Sequence, residues 1–136
     1  MVADLARMGE WSPENTGGEW EDEGRSWFRG RNQRGDRVWE TRCRIDVAEP
    51  GKAFVFTNCG GAGDADLAQW SFTFTATADG TEVTESWELL PAYPGVMLGR
   101  DPNADLPAVF DDRRTSARTG IATTLANLKQ AAEAAG

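Results

Sequence analysis

The spacing of apolar residues changes period along the chain, and the changes mark its elements. Near the N-terminus Val2, Leu5 and Met8 recur every three residues within VADLARMG. That spacing predicts a short helix over 2–9, ended by Gly9 and by the Trp11-Ser12-Pro13 break, because proline drives its predecessor out of the helical region. From 18 to 90 the period is two. A first strand over 27–32 puts Phe28, Gly30 and Asn32 on one face, and Gly35-Asp36 turns the chain. In VWETRCRIDV, Trp39, Thr41, Cys43, Ile45 and Val47 alternate with Glu40, Arg42, Arg44 and Asp46, the pattern of an antiparallel strand with one wet face. Glu49-Pro50-Gly51 is a turn. KAFVFTNC is a further strand, too uniformly apolar to assign its faces, and GGAGDAD is a loop. Trp70, Phe72, Phe74 and Ala76 share the face of the next strand. Ala78-Asp79-Gly80 makes a hairpin turn, and TEVTESWELL then places Val83, Glu85, Trp87 and Leu89 together. Residues 91–104 hold three prolines and two glycines and read as an irregular loop. From 106 to 134 the period is helical, with Pro107 tolerated in the first turn and Phe110, Ala117, Ile121, Leu125 and Leu128 forming an apolar stripe.

A short helix, an antiparallel meander and one long C-terminal helix define a single α+β domain over 1–136, with the helix packed across the sheet. The small residues Ala117, Gly120 and Ala122 in mid-helix leave space above a curved sheet, so a cavity is expected there.

Composition narrows the chemistry. The 136 residues include 6 Trp and no His. A Ser-His-Asp triad, a histidine base and a histidine metal site are therefore excluded, and neither a metal nor a cofactor is expected. The formal net charge is −8, which argues against nucleic acid and anionic lipid as partners. Cys43 and Cys59 are too few for a disulfide framework. Pairing Val47 with Ala53 places them as diagonal neighbours beyond easy disulfide reach, and both are expected reduced. With no apolar run long enough to span a bilayer and no signal pattern, a cytoplasmic location is expected.

The runs DLARMGEWSPE, WFRGRNQRG, WETRCRIDVAEPGKAFVF and GTEVTESWEL, followed by the terminal helix, resemble the START-like, helix-grip (SRPBCC) superfamily, in its bacterial polyketide cyclase/dehydrase and lipid-transport branch. The resemblance implies a curved antiparallel sheet wrapped around the C-terminal helix and a deep pocket for a lipid- or polyketide-like molecule. Members of that superfamily usually begin with a strand that has no counterpart here. The domain thus reads as N-terminally short, with the last strand of the meander left as an edge and a homodimer expected to cover it.

Among candidate residues Glu85 is the sharpest. A carboxylate on an inward face is costly unless it is paired or hydrogen-bonded, and burial makes it a usable acid or base. A rim position satisfied by arginine or water is the plainer alternative. Asn32 and Thr41 are placed to orient a ligand oxygen or simply to fill the sheet. Trp11, Trp39, Trp70 and Trp87 read as pocket wall or core, and Cys43, Phe72, Phe74, Ala117 and Ile121 complete the expected lining. Arg113, Arg114 and Arg118 near the start of the long helix read as reaching Glu85 or an acidic ligand group, or as a solvated face balanced by Asp111 and Asp112. Three functions follow: binding of a small hydrophobic ligand first, then a cyclase or dehydratase using Glu85, then a protein-interaction module. Whether the protein is an enzyme stays open at this level.

Overall fold

The computed structural model describes residues 1–135. A 3₁₀ helix (Leu5–Glu10) precedes six strands, β1 (Asn15–Trp20), β2 (Trp27–Arg34), β3 (Arg37–Glu49), β4 (Ala53–Asn58), β5 (Ala68–Ala76) and β6 (Thr81–Leu89). Two helices follow, α1 (Tyr93–Arg100) and α2 (Leu106–Ala135). The strands pair in chain order, all antiparallel, so β1 and β6 are the two edges of one sheet. The α+β helix-grip layout expected from the resemblance is the layout observed. No helix among the described residues is long and apolar enough to cross a membrane.

The concave face follows from the register, because directly opposed residues share a face. Trp20, Phe28 and Cys43 lie in one row across β1 to β3, and Phe56, Trp70 and Trp87 in another across β4 to β6. The N-terminal segment fills one end of this face. Leu5 and Met8 pack with Phe28 and Cys43, and Phe28 stands edge-on to Trp20 and Phe56 at 5.9 and 5.2 Å. A second cluster joins Val2 and Trp11 to Phe54, Phe72 and Leu128 of α2. The Asn127 side-chain amide donates to the Trp11 carbonyl at 3.3 Å. The C-terminal half of α2 is thereby clamped onto the sheet.

Four details depart from the sequence reading. The strand β1 was not visible in the period, because its burial rests on Gly17 and Gly18, which contribute no side-chain alternation. Residues 93–100 are helical rather than irregular: Pro94 sits in the first turn of α1, where its missing N–H is harmless, and Gly95 only weakens the helix without ending it. A β-bulge at Asp46 shifts β3 between Ile45 and Val47, so Val47 opposes Val55 on the convex face instead of continuing the row of Cys43 and Ile45. The bulge and register also separate the cysteines. Ala53 opposes Glu49, and Cys59 hydrogen-bonds the Arg42 carbonyl through its N–H at 2.9 Å, one face away from the position expected. Both thiols are free and buried.

Candidate ligand cleft

Where α2 leaves the clamp, its N-terminal half stands off the sheet edge and opens a cleft of about 810 Å³. One wall is β6 and its continuation, residues 85–90 and Pro91. Consecutive residues line it because the unpaired backbone edge, and not only one face, is presented. The other wall is α2, through Phe110, Arg114, Ala117, Arg118 and Ile121. These positions are spaced 4, 3, 1 and 3 apart, a single stripe on a helix. Pro94 of α1 closes one end, and Tyr93 packs on Phe110 with ring centroids 6.0 Å apart.

Glu85 is the central residue of β6 and faces this cleft between Val83 and Trp87, opposite Phe72. Its Oε1 is buried and has no hydrogen-bond partner among the described residues. Burial alone pushes the carboxyl up to about 8, so near neutral pH it holds its proton and is a donor as well as an acceptor. The arginines weighed as its counter-ions do not pair with it. Arg113 bonds Asp112 at 2.6 Å and Arg114 bonds Asp111 at 3.0 Å, whereas Arg118 makes no ion pair among the described residues.

Of the residues expected to line a pocket, Glu85, Trp87, Ala117 and Ile121 come together here. The other eight lie elsewhere. Trp11 and Phe72 are spent in the core, with Phe74 packed against them. Cys43 belongs to the cluster under the 3₁₀ helix, where burial pushes its thiol up to about 12 and makes it inert. Asn32 donates from its side-chain amide to the Thr41 hydroxyl at 3.1 Å, so the two satisfy each other. Trp39 carries the Arg37 guanidinium at 4.9 Å from its ring. Trp70 backs Trp87, centroids 6.3 Å apart, one strand behind the cleft wall. The cleft in turn uses Phe110, Leu89 and Pro94, which the sequence reading did not assign to a site, and Arg114 and Arg118, which it weighed as reaching an acidic ligand group. For the α2 residues the signal was the helical stripe running through Phe110, Arg114 and Ala117, and for Leu89 the alternation it shares with Glu85 and Trp87.

A second, smaller cleft of about 290 Å³ lies between the 60–65 loop and α1, lined by Cys59, Leu67, Val96 and Arg100 among others. The Cys59 thiol donates weakly toward the Thr57 carbonyl and Asp66, both 3.6 Å away, and burial raises its pKa. Among the described residues no group of three or more Cys, Asp or Glu is placed to hold a metal.

A six-stranded antiparallel sheet gripping a long C-terminal helix, with an apolar cleft between the two, defines a helix-grip protein. The chain belongs to the polyketide cyclase / dehydrase and lipid transport family, whose sequence pattern it matches over residues 1–133. Among solved structures it is similar to the Polyketide_cyc-like protein Cgl2372 from Corynebacterium glutamicum, determined by NMR in solution. The two are 34% identical with a TM-score of 0.64, and the match covers 93% of this chain and 77% of the other. A search of the curated proteins gave no match.

Proposed function

We propose that this protein binds a small hydrophobic molecule in the cleft between β6 and the N-terminal half of α2. The observation that carries the reading is a largely apolar cleft holding a half-buried carboxyl group whose buried Oε1 has no partner among the described residues. Concave apolar sites with a few polar groups are the usual form of a ligand pocket, and a lone unsatisfied carboxyl is costly to keep unless something satisfies it. Family membership supports the same reading. The test is titration of isotope-labelled protein with 1-anilinonaphthalene-8-sulfonate, followed by NMR. Shifts centred on the Trp87 indole and the Ala117 and Ile121 methyls are expected. Shifts centred on the convex face or the 60–65 loop would refute the site.

The position of Glu85 favours a second reading, a cyclase- or dehydratase-type enzyme in which its carboxyl transfers a proton to or from the bound molecule. A carboxyl titrating near 8 is suited to that role near neutral pH. Turnover that follows a single ionisation near pH 8 and is lost in Glu85→Gln would establish it, whereas binding without turnover leaves the first reading. The unpaired outer edge of β6 favours a homodimer across that edge as the alternative occupant of the same region.

A further inference from the structure

The charge on the α2 wall of the cleft is one-sided. The protein has 22 acidic and 14 basic residues, yet the α2 stripe facing β6 carries two arginines and no acid. Asp111 and Asp112 lie three and two residues before Arg114 and fall off the stripe, where they bond Arg114 and Arg113 at the surface. Such exposed pairs contribute little and exchange readily for a better acceptor. Arg118 has no ion-pair partner to exchange among the described residues.

Opposite the arginines stands Glu85, buried at Oε1 and bonded to neither of them. A cleft kept only for its own stability would join these groups. Held apart, they leave hydrogen-bonding capacity in the cleft in which donors predominate. The guanidiniums are donors in every state, and the Glu85 carboxyl near neutral pH presents an O–H. The remaining polar side chains on the lining, Ser86 and Glu88, project from the opposite, exposed face of β6 and sit at the rim. A cationic ligand would meet two guanidiniums at the α2 wall. An anion meets two charged donors in a setting where charge-assisted hydrogen bonds are the strong ones.

We propose that the cleft selects small amphipathic anions. The apolar body lies against Trp87, Leu89, Phe110 and Ile121, the anionic group at Arg114 and Arg118, and an acceptor oxygen of the ligand toward the Glu85 carboxyl. This rests on the reading of the cleft as the ligand site. It names what that reading leaves open, the polarity of the ligand and which end of it goes where.

Two fluorescent probes with the same rings test it, 1-anilinonaphthalene-8-sulfonate and the uncharged N-phenyl-1-naphthylamine, each titrated into the intact protein at low ionic strength. The sulfonate is expected to bind about tenfold more tightly than the naphthylamine. In Arg114→Ala/Arg118→Ala that ratio should fall to near one, and Arg114→Lys/Arg118→Lys should keep part of it. From pH 7 to pH 9 the sulfonate should lose affinity for the wild type as Glu85 becomes charged, and the loss should be absent in Glu85→Gln, which retains a donor. Equal binding of the two probes, or a ratio that survives the double alanine variant, overturns anion selection and leaves the hydrophobic site standing. Equal weakening of both probes in that variant assigns the arginines a structural role and also overturns the proposal. Failure of both probes to bind, or a dimer whose formation excludes them, overturns the site itself.

Discussion

At the scale of single residues the protein concentrates its cost at Glu85 and its packing at Trp11. In the unfolded chain the Glu85 carboxyl would ionise around its ordinary value of 4.5, whereas in the fold it keeps its proton up to about 8. Between those values the native state holds one proton more than the unfolded state. Stability attributable to this residue is therefore full below about pH 4.5, declines as pH rises, and levels off above about pH 8. Partial exposure of the side chain limits the decline to about 1–2 kcal/mol. Thermal melts of wild type and Glu85→Gln across pH 4 to 9 should show the variant gaining relative stability as pH rises. A constant difference would mean that the carboxyl is solvated. Trp11 is 1% exposed and joins the N-terminal segment, β4, β5 and α2 in one cluster. Trp11→Ala should cost about 3–5 kcal/mol in urea unfolding, the range for emptying a large aromatic site.

At the scale of elements, two irregularities set how the sheet bends and what lies on it. The bulge in β3 places Asp46 on the convex face, where its carboxylate accepts from the Thr57 hydroxyl at 2.5 Å and from the Gln69 amide at 3.2 Å. Thr57 is only 1% exposed although it is on the outer face. Asp46→Ala would strand that hydroxyl and should cost about 1–3 kcal/mol, with Asp46→Asn recovering most of it. Neither the bulge nor the bond was legible in the sequence, since Ile45-Asp46-Val47 alternates as a regular strand would. In β1, Gly18 lets the strand lie close against the β2 backbone beneath the 3₁₀ helix. A Cβ there would lie 2.9 Å from the Arg29 carbonyl oxygen and 3.6 Å from the Leu5 Cβ. Gly18→Ala should destabilise by about 1–3 kcal/mol through overpacking. In hydrogen exchange, protection around Leu5 and Met8 should be lost before that of β4.

At the scale of the molecule, α2 is held at one end and free at the other, and that asymmetry makes the cleft. Leu128 and Ala131 are locked against Phe54, Phe72 and Trp11, whereas Ala117 and Ile121 line the cleft beside β6. The convex face carries a ladder in which Arg29 bonds Glu21 and Glu40, and Arg42 bonds Glu21. Each rung is exposed enough to contribute little, so added salt should change stability only slightly. Association should respond more. Antiparallel pairing of two β6 edges about Glu85 would set Glu82 of one copy opposite Glu88 of the other, a like-charge contact that salt screens. If the edge is where copies meet, light scattering should show dimer rising between low and high NaCl. A mass near 15 kDa throughout would leave the edge to the ligand cleft alone.

The meander from β2 to β6, the long helix and the inward direction of Glu85 were determined by the sequence itself, because they rest on local signals: TEVTESWEL and WSFTF alternate without interruption, turn residues separate the strands, and the α2 stripe repeats at helical spacing. Which apolar residues became core and which became cleft was decided only by the tertiary structure. Trp11, Phe72 and Cys43 look the same in sequence as Trp87 and Ile121. Their fates diverge because the N-terminal segment and the last turns of α2 cover one part of the concave face and leave another open. The same holds for Glu85. Alternation aims it inward, but only the positions of Arg114 and Arg118 across the cleft, close enough to line it yet not bonded to it, leave its Oε1 without a partner among the described residues.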